Sequence, residues 1–571
     1  TFNGDDIFGR NNSDFNVTGT ITNDGTITIE AGAAATDLDL QADTTLTGGG
    51  TVVLDGPNAG INGTASGTAT LTLDDQTVAG EGDFGQNGIK VVNTNGSTID
   101  ANVASSTLTL NPTGTPASND FDNEGTLQAS SGGILQLTGS GNGEFDNTGG
   151  TIQALNGSEV KLANDADVTG GELTTSGSGE IRANAGDKVF LRNLTQSGNY
   201  IAENNTDTGI AGTIENTGTM TIEAGISNTD LEVQAGGATL TGGGTVVLSG
   251  ANAGVNDASG TQVLTIANQT IEGEGSFGEN QIQVVNQAGG LIDANVDAAS
   301  LTLNPDGTGD PDDFDNEGTL QASSGGILQL TGSGNGEFDN TGGTIQALNG
   351  SEVKLANDAD VTGGELTTSG SGEIRANAGD KVFLRNLTQS GNYIAENNTD
   401  TGIAGTIENT GTMTIEAGIS NTDLEVQAGG ATLTGGGTVV LSGANAGVND
   451  ASGTQVLTIA NQTIEGEGSF GENQIQVVNQ AGGLIDANVD AASLTLNPDG
   501  TGDPDDFDNE GTLQASNGGI LLLSGSLGGE FDNTGGTIQA MDNSLVSHVS
   551  SANLVNNNAG TLTGGTYRAV D

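Results

Sequence analysis

Phe121–Glu144 reads FDNEGTLQASSGGILQLTGSGNGE, and the next segment, Phe145–Val168, reads FDNTGGTIQALNGSEVKLANDADV. The two align throughout at a step of 24 to 25 residues. Each contains short runs of alternating character, such as Thr126-Leu127-Gln128-Ala129 followed by Ile134-Leu135-Gln136-Leu137. Alternation with period two belongs to a strand with one face turned in and one turned out. Between the runs stand Ser-Gly-Gly, Asn-Thr-Gly and Asn-Gly, residues that tolerate positive φ and make tight corners. No stretch has helical periodicity with caps at both ends. One such segment cannot bury its apolar face alone, whereas a stack of them can. The expected fold is therefore all-β, a parallel β-helix (β-solenoid) of about 24 residues per coil. Roughly 24 coils rising about 4.8 Å each would fill the chain. Leu127, Leu135, Leu137, Ile152, Val160 and Leu162 should form inward aliphatic ladders, with Asn123 and Asn147 stacked at an inner corner.

A longer repeat contains the short one. Phe121–Asp313 recurs residue for residue as Phe314–Asp506, and a third copy starts at Phe507 and drifts after Ser516. GTITIEAG at Gly25–Gly32 stands one such period before GTMTIEAG at Gly218–Gly225. The organisation read from this is a diverged partial repeat over 1–120, identical units over 121–313 and 314–506, and a diverged partial repeat over 507–571, all in one continuous solenoid. The first copy is offset by a small indel near Thr51. A string of β-sandwich domains is the rival, but a 24-residue internal repeat has no place in a Greek key. The N-terminal segment is rich in Phe2, Ile7, Phe8 and Phe15. The C-terminal one has Leu545, Val546, Val549, Leu554, Val555 and Tyr567. Either set would cap the open coil edge or mate with another copy. The chain runs for nearly three whole periods, so end-to-end stacking of subunits is expected, unless the sequence is a window of a longer repeat protein.

Composition narrows the function. Of 571 residues, 97 are Gly, 73 are acidic and 11 are basic, for a net charge of −62. Phosphate contact needs clustered Lys and Arg, so nucleic acid is not an expected partner. With no Cys, disulfide scaffolds, zinc fingers and cysteine nucleophiles are excluded. No apolar run is long enough for a membrane-spanning helix. The chain opens on Thr1 without a signal peptide, as after processing or trimming. Low hydrophobicity with high charge often means disorder, but here the apolar residues come in regularly spaced triplets.

VVNQAGGLIDANV (Val284–Val296), FDNEGTLQA (Phe121–Ala129) and GGTIQALNGSEVKL (Gly149–Leu162) resemble the repeat blocks of large secreted bacterial β-helix surface proteins. Filamentous-haemagglutinin-like adhesins and autotransporter passengers are such proteins. The resemblance covers nearly the whole chain and is one of style. It implies a right-handed β-helix, export, and a place at the cell surface or in secreted matrix. No transporter barrel, secretion domain or calcium-binding nonapeptide array accompanies it.

The Asp-rich turn NPDGTGDPDDFDN (Asn304–Asn316) gathers Asp306, Asp310, Asp312 and Asp313, and its repeat gathers Asp499, Asp503, Asp505 and Asp506. Such a density of hard oxygen ligands suits Ca²⁺, the one cofactor the sequence suggests; none is required. The alternative is a solvated acidic loop. The equivalent Asn111–Asn123 has Thr113, Thr115 and Ala117 instead, and a site needed for folding should survive in every copy. The four bases of each unit, Lys161, Arg182, Lys188 and Arg192 in the first, fall close together among more numerous acids. They make either a lateral docking band or local ion pairs. Thr-x-Thr triplets are too irregular for an ice-binding face, and Asn-x-Ser/Thr sequons arise by chance in such a chain. The sole histidine, His548, has no obvious Ser or Asp partner. No catalytic residue is assigned, because nothing marks out one pair of carboxylates.

The expected function is therefore a structural shaft of an extracellular bacterial fibre or adhesin, self-associating end to end, with glycans or cell surfaces as partners. A cation- or glycan-binding matrix module is the second reading, and a polysaccharide-cleaving β-helix the third.

Overall fold

A computed structural model describes residues 6–63, 69–113, 120–139, 143–257, 260, 262–307, 313–333, 336–450, 453, 455–500, 506–549 and 552–570. Their regular structure is strand. Among the described residues the single helical segment is the 3₁₀ turn Ser526–Gly528. The chain divides into two compact units, Thr1–Ile282 and Gln283–Asp571. The fold is a parallel β-solenoid with roughly 24 residues per turn and about 21 turns, fewer than the 24 coils expected.

In the first unit the aligned segments stack in the register the sequence suggests. Phe121 pairs with Phe145, Leu127 with Ile152 and Leu135 with Val160, all in parallel strands. The next turn continues with Val168, Leu173 and Ile181. Every one of these side chains is buried. Within each strand the neighbours, such as Gln128 and Gln136, lie half-exposed. That is the period-two alternation acting on a thin core: each inward residue loses its contact with water only when the turns above and below are present. The Phe121 and Phe145 rings lie 5.4 Å apart, tilted by 33°.

Turns differ in length. Ile181 pairs with Tyr200, 19 residues on, whereas Val91 pairs with Phe121, 30 residues on. The indel between the first and second copies falls slightly before Thr51. Strand Thr36–Thr47 has 12 residues and its counterpart Thr229–Thr241 has 13. The extra residue sits where both strands pass from one face of the coil to the next. There Gly236 and Gly237 take positive φ, 99° and 79°.

The second unit is built alike: Phe314 pairs with Phe338, Leu320 with Ile345 and Leu328 with Val353. A Greek-key sandwich needs antiparallel neighbours. Among the described strands the one antiparallel pair is the short hairpin Asn557–Asn558 with Thr561–Leu562.

The inner corner is a polar ladder, with the Oδ1 of its first Asn left without a partner among the described residues. Asn93 Nδ2 donates to Asn123 Oδ1 at 2.7 Å, and Asn123 Nδ2 donates to Asn147 Oδ1 at 2.6 Å. Asn147 Nδ2 ends the run on the carbonyls of Gly150 and Gly170. The second unit repeats this at Asn286, Asn316 and Asn340, and again at Asn479, Asn509 and Asn533.

Candidate functional site

Asp310, Asp312, Asp503 and Asp505 lie outside the described residues. Their four companions are placed, and all are buried rather than solvated. Asp499 continues the ladder, its N–H donating to the Ile475 carbonyl at 2.9 Å. Asp506 Oδ2 accepts from the Glu530 N–H of the next turn at 3.0 Å, and Asp313 Oδ2 from the Glu337 N–H at 3.4 Å. Asp306 occupies the position of Asp499 in the other copy. Asp120 is the first-copy counterpart of Asp313. Burial pushes its carboxyl up to about 6, Lys90 opposes this, Glu144 adds repulsion, and a hydrogen bond from the Glu144 backbone opposes it too. One acid of this loop thus does persist in every copy, as a structural acceptor. Among the described residues no group of three or more Asp, Glu or His side chains is arranged to hold a metal ion.

The basic residues are occupied locally. Arg182 reaches Glu180 at 2.8 Å, Glu203 at 2.9 Å and Glu159 at 3.8 Å. Arg192 binds Asp167 at 2.9 Å, Lys161 lies 3.7 Å from Glu159, and Lys188 pairs with Glu232. Lys188 and Arg192 also flank the Phe190 ring. This is the ion-pairing arrangement, and it leaves the four bases little capacity to act as a docking band.

The most distinctive cluster lies on an outward face and draws its members from successive turns. Lys188, Asp207, Asp230, Gly254 and Ser276 follow one another in register across neighbouring strands. Beside them run Phe190, Gly209, Glu232 and Asn256. The two glycines explain why polar outward groups become buried. A Cβ on Gly209 would stand 2.6 Å from the Phe190 ring, so the ring lies down over that position. A Cβ on Gly254 would stand 2.3 Å from Asp230 Oδ1 and 3.2 Å from Ser276 Oγ, so both oxygens flank one niche over the glycine. Ser276 Oγ donates to Glu279 Oε1 at 2.6 Å. Asp230 is only 7% exposed, and Glu232 and Asn256 9% each. Burial pushes the Asp230 carboxyl up to about 6; Glu279, Asp207 and Glu232 add repulsion, and a hydrogen bond from Asn256 opposes them.

The second unit carries the same cluster. Asp400, Asp423, Gly447 and Ser469 are in register, Ser469 Oγ donates to Glu472 at 2.5 Å, and Asp423 is raised to about 7, chiefly by burial and then by Glu472. A variant near the N-terminus has Asp37, Gly60 and Asp83 in register. Burial and the carboxylates of Asp39, Asp14 and Asp83 raise Asp37 to about 6. Sequence reasoning missed the cluster. Its signal was an acid pair two residues apart on one strand (Asp230 and Glu232), facing a glycine one turn later.

Surface depressions lie elsewhere, one of about 530 Å³ beside Asp490 and Asp542, another of about 580 Å³ over Gly150 and Gly171. His548, itself exposed, ends the strand Leu545–His548. No family model matches the chain, and no curated protein matches it.

Proposed function

We propose that the protein is a non-catalytic structural spacer, the shaft of an extracellular bacterial surface fibre or adhesin. The observation that carries this is the verbatim duplication of a unit whose inward residues pair in parallel, turn on turn, within each compact unit. Adding copies of such a unit adds length without new chemistry, because each turn needs only its neighbours. Duplication also presents every surface feature more than once, which suits multivalent attachment to glycans or cell surfaces. Ile226 and Ile419, 98% and 97% exposed, are the same apolar side chain displayed twice. Eight of the 11 bases, four in each repeat, are held in ion pairs, and acids far outnumber bases, in keeping with a non-nucleic-acid partner. Self-association end to end, by strand addition or coil stacking, completes the reading. Immunogold electron microscopy of producing cells tests the proposal. Label along surface fibres is the expected result; label confined to the cytoplasm would overturn it.

A further inference from the structure

Beside the niche over Gly254 stand buried oxygens without a hydrogen-bond partner among the described residues. Asp230 Oδ1 and Asn256 Oδ1 are both buried and have no hydrogen-bond partner among the described residues. Asp423 Oδ1 and Asn449 Oδ1 are in the same state in the second unit, and Asp37 Oδ1 and Asn62 Oδ1 near the N-terminus. A buried polar atom without a partner costs free energy, and a buried charge costs far more. Three copies repeat the defect, one of them in a diverged sequence, so it is a feature of the design.

Two neutralising agents could act. A proton on Asp230 would cancel its charge and let Oδ1 donate to one neighbouring oxygen, but it would leave the other acceptors as they are. A cation would satisfy Asp230 Oδ1, Asn256 Oδ1, Ser276 Oγ and the Glu279 carboxylate together. All four are hard oxygen donors, the kind of set that suits an ion bound at 2.3–2.6 Å with a flexible coordination number. Gly254 leaves the necessary room, since a Cβ would fill the place between Asp230 Oδ1 and Ser276 Oγ. Lys188 is drawn aside to Glu232 and does not fill it.

We propose that Asp230, Asn256, Ser276 and Glu279 form a binding site for a divalent, oxygen-seeking cation of the calcium class, repeated at Asp423, Asn449, Ser469 and Glu472. The N-terminal variant replaces the serine with Asp83 and keeps Asp37 and Asn62. The site is distinct from the Asp-rich turns and does not depend on the shaft reading.

Calorimetric titration of the chelator-stripped full chain with CaCl₂, at neutral pH and physiological salt, tests it. The Asp230→Asn/Asp423→Asn double variant is expected to lose two bound equivalents. Ser276→Ala/Ser469→Ala leaves the net charge unchanged and should weaken two equivalents by roughly tenfold, the effect of losing about 1.4 kcal/mol of contact. This second pair carries the test if the first fails to fold. Wild-type protein that takes up no calcium would overturn the proposal. So would variants that bind as many equivalents as wild type with the same affinity, which would mean diffuse counter-ion screening.

Discussion

Asn123 accepts one side-chain hydrogen bond from the turn below and donates another to the turn above, so its amide can be satisfied only inside a stack. Replacing it with alanine leaves the Asn93 amide and the Asn147 carbonyl without those bonds in a site closed to water. Asn123→Ala should therefore lower stability by about 1–3 kcal/mol, read as a shift in urea midpoint. An unchanged midpoint would show that the ladder adds nothing. Gly171 is constrained differently. Its φ is +64°, and a Cβ there would stand 2.0 Å from the Asn147 carbonyl oxygen. Gly171→Ala must displace backbone, and should cost more than the ~1 kcal/mol of an ordinary positive-φ alanine. Arg182, by contrast, is only partly buried and its pairs are at the surface. Arg182→Met is expected to change stability by less than about 1 kcal/mol, measured in the same titration.

Strands couple to their immediate neighbours and to little else, so damage should stay local. Phe145 is buried between Phe121 and Val168. Phe145→Ala removes the ring and leaves a cavity, a loss of roughly 3–5 kcal/mol. Hydrogen exchange should quicken in strands Phe121–Asn123, Glu144–Asp146 and Asp167–Thr169 while Phe338 and its neighbours keep their protection. Uniform loss of protection would mean cooperative unfolding of the whole chain. The same locality decides what a reader of the sequence can see. The ladders of Leu127, Leu135 and Leu137 are legible because inward placement alternates within a strand and the partner stands one short repeat away. Asn123 and Asn147 are legible for the same reason. The acidic cluster is not: Asp207, Asp230, Gly254 and Ser276 meet only after turns of unequal length, so no fixed spacing links them. Their burial depends on absent side chains at Gly209 and Gly254, which a search for charged motifs passes over. The burial of Asp306 and Asp313 was hidden likewise, since an Asp-rich loop looks solvated until its place beside the next turn is known.

Over the whole molecule the charge of −62 sets the response to solvent. Stacked carboxylates about 4.8 Å apart repel by about 0.9 kcal/mol per pair even in water. Screening salt should accordingly raise the melting temperature; equal melting in low-salt chelator buffer and in seawater-like ions would refute this. Acid should act in the same direction. Asp37, Asp120 and Asp230 are raised to about 6 and Asp423 to about 7, in each case chiefly by burial. In the unfolded chain these groups titrate near 3.8. Between about pH 4 and pH 7 the folded protein therefore holds more protons than the unfolded one, and stability falls as pH rises. The reverse contribution, from a carboxyl lowered by hydrogen bonds, comes from Asp532. Calorimetry in chelator at constant ionic strength should find a higher melting temperature at about pH 5 than at about pH 8. A lower one would mean that these carboxyls stay ionised on folding. Calcium should flatten the slope, because an ion seated at Asp230 and Asp423 competes with the protons that would otherwise neutralise them. Asp120 stands outside that cluster, so a residual slope should persist at saturating calcium.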